Sequence, residues 1–138
     1  MKTSLENIAA IIAAAIWADG VYDPAEEITV EEIAEALELD EAKFKAAVNK
    51  CVKGLNGLSE NQANAVLKDA AEAVEDEEIG IVFEAAMQML LADSELSRAE
   101  VGNLLVIAEA LGIEEEDAIL MLADMVKSEP DLTINMAD

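Results

Sequence analysis

A chain of 138 residues that is 54% apolar and 3% aromatic, with two prolines and six glycines, has the composition of one helical core and lacks the length for two. Its 31 acidic residues against 8 basic ones give a formal charge of -23, which repels phosphate backbones and anionic membrane surfaces and excludes nucleic acid as a partner. There is no histidine and only one cysteine, Cys51, so thiolate or imidazole zinc chemistry and an internal disulfide are excluded and any bound metal must be held by oxygen.

In chain order, the apolar run Ile8 to Ala18 comes first and, following Lys2, has the outline of a signal sequence. Its eleven residues are too few to span a bilayer. Ile8, Ile12, Ala15 and Ile16 recur at the helical period, which predicts a buried first helix of a cytoplasmic protein. Asp23, Pro24 and Glu26 form the N-cap, first-turn proline and capping-box pattern that opens a second helix, ending near Leu39. Asp40 caps a third to about Lys53, where Gly54 and Gly57 break it. Ser59 with Gln62 opens a fourth that runs through Val74, and the acidic cluster Glu75 to Glu78 separates it from a fifth ending near Leu91. That fifth helix repeats the apolar stripe of the first at Val82, Ala86, Met89 and Leu90. Ser97 with Glu100 opens the sixth, Gly112 ends it, and a seventh runs from about Glu114 to Lys127 before Pro130.

The fold class is therefore all-α: a single domain over residues 1–138, a bundle of about seven helices without strand pairing, with a short tail over 128–138. Met87, Met89, Met121 and Met125 stand at helical spacing and read as packing, and Cys51 reads as a residue packed in a helix face. Lys43, Lys50 and Lys53 fall near one face of the third helix, which reads as a solvated face, with a docking patch as the alternative.

An internal duplication organises the chain. A shift of 74 residues lays Ala18-Asp19-Gly20-Val21-Tyr22-Asp23-Pro24-Ala25-Glu26 over Ala92-Asp93-Ser94-Glu95-Leu96-Ser97-Arg98-Ala99-Glu100. The same shift lays Ile33-Ala34-Glu35-Ala36-Leu37 over the identical Ile107-Ala108-Glu109-Ala110-Leu111 without a gap. Copies of about 4–40 and 78–114 result, too few for a solenoid, which points to a bundle with pseudo-twofold halves.

Chemistry has to come from carboxylates. The first inter-helix loop carries Asp19, Asp23 and Glu26, and the second carries Asp93, Glu95 and Glu100 with the neutral oxygens of Ser94 and Ser97. Such oxygen-rich loops suit a hard cation, calcium or magnesium. The EF-hand spacing is not met, because Pro24 stands at the glycine position and Val30 at the position of the bidentate glutamate. Capping accounts for Asp23, Glu26, Ser97 and Glu100 without any metal. It does not account for Asp19 and Asp93, which end the preceding helices where the dipole disfavours negative charge, although loop hydrogen bonds to backbone N–H groups do.

The alanine-rich first helix with Ala18 to Glu26, the second copy Ala92 to Glu100, and the closing Ile107-Ala108-Glu109-Ala110-Leu111-Gly112-Ile113 resemble the TerB or TerB-like family associated with tellurite resistance, over roughly residues 4 to 127. The resemblance implies an all-helical bundle of two related halves, no settled catalytic reaction, and a part in metal-linked stress responses. It further implies divalent-cation binding by acidic residues in and beside the loops, which here are Asp19, Asp23 and Glu26 in the first copy and Asp93 and Glu100 in the second. Ser94 and Ser97 stand where the family carries glycine and aspartate, so the second loop has lost charge. Related domains occur attached to other modules, including membrane-anchored DnaJ-type co-chaperones, which implies a protein partner, membrane-associated ones included, without membrane insertion by this chain.

No P-loop, G-x-S-x-G or dinucleotide fingerprint is present, and exposed carboxylate pairs lack the burial that tunes an acid for catalysis, so no enzymatic activity is expected. Two functions remain: a cation-binding stress-response module, and a metal-free protein-interaction adaptor whose loop carboxylates only cap helices. Under either, repulsion is greatest at Glu75 to Glu78 and at Glu114 to Asp117. Sodium chloride is expected to raise the melting temperature gradually, without early saturation, as the Debye length shortens to about 8 Å at physiological ionic strength. A calorimetric melting temperature indifferent to salt would mean that the fold already neutralises these clusters.

Overall fold

The computed structural model describes residues 2–19, 24–91, 95–128 and 133–135. Among them are seven α-helices: α1 (Leu5–Asp19), α2 (Pro24–Ala36), α3 (Glu41–Leu55), α4 (Glu60–Glu72), α5 (Ile79–Leu90), α6 (Arg98–Leu111) and α7 (Glu115–Lys127). A single 3-10 turn, Asp76–Glu78, leads into α5. None of these helices is long and apolar enough to cross a membrane.

The helix starts follow local chemistry. Asp40 accepts a hydrogen bond from the Lys43 N–H at 2.9 Å, satisfying a donor that α3 leaves open. Ser59 and Gln62 form a reciprocal capping box at α4, Ser59 Oγ accepting from the Gln62 N–H at 3.3 Å and Gln62 Oε1 from the Ser59 N–H at 3.0 Å. Gly54 does not stop α3, which continues to Leu55.

Helix α1 is the axis of the molecule. Every residue from Ile8 to Ile16 is buried, and α3, α4, α5 and α6 all pack against it. The stripe of Ile8, Ile12, Ala15 and Ile16 is thus one face of a helix enclosed on all faces, because Ile11 and the intervening alanines are buried too. Short alanine side chains let neighbouring helices approach closely, while each isoleucine contributes on the order of 1.5–3 kcal/mol by leaving water. Helix α3 supplies Phe44, Val48, Val52 and Leu55 to this core, α4 supplies Ala63 and Leu67, and α5 supplies Val82, Phe83, Ala86 and Met87.

One expectation requires correction. Glu95–Ser97 (β1) pairs in parallel with Thr133–Asn135 (β2), with Leu96 opposite Ile134. Residues entering a helix through its N-cap are extended and leave backbone groups free, so a tail segment with β-branched Thr133 and Ile134 can pair there. Three residues are too short a run for a period-2 pattern to register in the sequence.

The 74-residue offset recurs in helix starts and terminators. Helices α1, α2 and α3 start at 5, 24 and 41, and α5, α6 and α7 start at 79, 98 and 115, each 74 later. Both α2 and α6 end in a Schellman motif. In the first, the Leu39 N–H donates to the Ala34 carbonyl at 2.8 Å and the Glu38 N–H to Glu35 at 3.2 Å. In the second, the Ile113 N–H donates to Ala108 at 2.8 Å and the Gly112 N–H to Glu109 at 3.0 Å. The residue that reverses the chain is left-handed in each, with φ 58° at Glu38 and 80° at Gly112.

A side chain at Glu38 therefore occupies backbone that favours glycine, and its carboxylate also sits at the negative end of α2. Glu38→Gly is expected to stabilise the fold by about 0.5–1 kcal/mol, and Gly112→Ala to destabilise it by about 1 kcal/mol. Urea unfolding, read as a shift in midpoint at constant slope, checks both; a destabilised Glu38→Gly contradicts the account of this terminator.

Candidate functional site

The loop–helix corners are where the candidate ligands were expected. Glu26 and Glu100 are the third residues of α2 and α6, at equivalent positions of the two copies. Both are buried, with 3% and 6% of their surface exposed, and neither is free, since each interacts within the fold. A first-turn carboxylate suits the positive end of the helix and its open N–H groups. One turn further on, on the same face, stand the buried Thr29 in α2 and the half-buried Asn103 in α6. The Asn103 amide nitrogen is shut off from solvent without a hydrogen-bond partner among the described residues. Val30, Ile33 and Ala34, matched by Leu104, Ile107 and Ala108, lie on the buried face of each helix.

Asp23 and Asp93 lie outside the described residues, as does the side chain of Asp19, whose backbone closes α1. Among the described residues, no group of three or more acidic or cysteine side chains is gathered closely enough to hold a metal ion. What the fold places in view is one buried carboxylate per corner.

A third buried carboxylate was not singled out by the sequence. Glu78, read there as part of a repelling cluster, turns inward and accepts three hydrogen bonds: from the Thr3 hydroxyl at 2.6 Å, the Lys2 N–H at 2.8 Å and the Thr3 N–H at 2.8 Å. Thr3 Oγ1 in turn accepts from the Glu75 N–H at 3.0 Å, so the segment before α1 is tied to the turn before α5. Glu77 pairs with the Lys2 ammonium at 2.6 Å on the exposed surface, where an ion pair contributes little. The hydrogen bond from the Thr3 hydroxyl, then those from the Lys2 and Thr3 N–H groups, hold the Glu78 carboxyl down at about 2 from an ordinary 4.5.

The remaining candidates read as structure. Lys43, Lys50 and Lys53 are exposed on the face of α3 opposite its buried stripe. Lys45 pairs with Glu31 at 3.0 Å, and this hydrogen bond raises the ammonium's pKa. Burial pushes the half-buried Cys51 thiol up, against the lowering effect of Lys50, which keeps it protonated and unreactive near neutral pH. Met87 and Met89 are core, while Met121 and Met125 are half-buried beside a groove between α5 and α7.

No protein-family model, no curated protein and no solved structure matches the chain.

The Glu78 clamp has a definite pH signature. Its folded pKa lies below the unfolded value, so the stability it contributes is complete above about 4.5 and is lost as pH falls towards about 2. Glu78→Gln is expected to unfold at lower urea than the natural chain at pH 7, with the difference closing across that acid window. A difference that is constant with pH would mean that the carboxylate charge is not what Thr3 and Lys2 recognise.

Proposed function

We propose that the chain is a non-enzymatic, TerB-like module of two pseudo-twofold related halves, whose acidic loop–helix corners take up a divalent cation, calcium or magnesium, in a metal-linked stress response. The observation that carries this reading is the recurrence of a buried first-turn carboxylate, Glu26 and Glu100, at matched positions beside loops that contain Asp19, Asp23 and Asp93. Both carboxylates already interact within the fold, and they offer oxygen ligands of the kind that calcium and magnesium take. The matched helix starts and terminators support two related halves, and the sequence motifs support the TerB-like assignment. The absence of histidine and the raised thiol of Cys51 favour binding over catalysis.

A second reading is favoured by the same position in the helix. The third helical residue is where a glutamate closes a capping box, so Glu26 and Glu100 fit a metal-free adaptor whose corners are only well-capped helix starts.

A ligand that binds only the folded state raises stability according to its concentration over its dissociation constant, whereas screening depends on ionic strength alone. Millimolar calcium or magnesium is expected to raise the melting temperature more than sodium chloride of matched ionic strength, and Asp19→Asn with Asp23→Asn to abolish the excess. Equal effects of the two salts, or a full divalent response in the double variant, leave the adaptor reading in its place.

A further inference from the structure

Helix α6 is packed against α1, α4 and α5, while Gly102, Val106 and Glu109 on its outer face are exposed. Leu105, Val106, Glu109, Ile113, Glu114 and Glu115 line a cavity of about 490 Å³ between α6 and the start of α7. Val106 and Glu109 also line a second cavity of about 260 Å³, which extends to Leu67 and Lys68 of α4. Val106 and Glu109 stand on the outermost strip of α6, so the two cavities flank that strip and with it form a shallow, trough-like face from α4 to α7. Its middle is apolar: Val106 is 39% exposed, and Leu105, Ala110 and Ile113 beside it are half-buried. Its α7 end is acidic, with Glu114 and Glu115 lining it and Glu116 and Asp117 following, all exposed.

We propose that this trough is a docking site for a cationic amphipathic helix of a protein partner. An apolar middle with carboxylates at its edge accepts a helix that presents leucine-like residues at i, i+3 and i+4 between lysines or arginines. Charge decides among occupants. A second copy of this chain carries the same net charge of -23, and nucleic acid and anionic lipid are repelled in the same way, whereas a basic segment is drawn in by the surrounding field. Neighbouring helices lie about 8–10 Å apart, so the trough from α4 across α6 to α7 spans about 16–20 Å, which a helix of about 12 residues covers. This surface is separate from the loop–helix corners and requires no metal, so it stands or falls independently of cation binding.

The test is a fluorescence anisotropy titration with a synthetic leucine–lysine peptide of about 12 residues that forms an amphipathic helix, at about 0.15 M salt. A peptide of the same composition with its leucines scattered around the helix measures attraction by charge alone. Val106→Lys places a cation in the trough, and Ile81→Lys makes the same charge change at an apolar residue of α5 that is 46% exposed. Both positions are exposed enough to be substituted in the folded chain, which far-UV circular dichroism verifies. The natural chain is expected to bind the amphipathic peptide at least about tenfold more tightly than the scrambled one. Val106→Lys is expected to lose that preference and Ile81→Lys to keep it within about twofold. The proposal is overturned if the two peptides bind equally, if both variants behave alike, or if sedimentation shows the natural chain to be a dimer that Val106→Lys dissociates.

Discussion

Helix α1 carries no polar side chain between Ile8 and Ile16, and a helix apolar on all faces has to be enclosed. That requirement arranges the rest of the molecule. Helices α3, α4, α5 and α6 surround α1, while α2 is held mainly between α3 and α5 and α7 packs mainly on α6. The two copies of the duplication thus have unequal surroundings. The first contributes the central helix, and the second contributes two of the helices that cover it.

The inequality is visible in one matched pair. Phe44 in α3 and Ala118 in α7 stand 74 residues apart, both fully buried, yet one fills far more of the core than the other. With Val48, Val52 and Leu55 behind it, Phe44 anchors α3 against α1. Only Ala118 and Leu122 are buried in α7, and Ile119 and Leu120 face solvent. A weakly anchored seventh helix and an uncovered α6 surface are two sides of the same difference in packed volume, and the trough opens where these two helices meet.

Charge is managed by position. The buried carboxylates Glu26 and Glu100 lie in the first turns of helices, and Glu78 lies just before α5, where open N–H groups or the backbone of another segment can stabilise an anion. The exposed acids of α7 begin that helix in the same way. An acidic surface of this kind repels polyanions and attracts cations and basic segments, which is the common premise of the two proposals.

The helix plan was legible in the sequence because its signals are local. Asp40, Ser59 with Gln62, and Gly112 act on backbone groups within a few residues, and each performs the role its type and spacing specify. The 74-residue offset was legible as an identity of short motifs, Ile33 to Leu37 over Ile107 to Leu111, and the helix starts share that offset. At Glu38 the match in conformation exceeds the match in sequence: the same terminator forms there without glycine. The candidate site was legible only as composition. Sequence indicated Glu26 and Glu100 at helix starts but not their burial, and it grouped Glu78 with a repelling cluster, since its partners Lys2 and Thr3 are more than seventy residues away. The enclosure of α1 on every face, the pairing of β1 with β2 and the trough across α6 likewise came only from tertiary structure. Each depends on which distant elements meet, and no local period or cap encodes that.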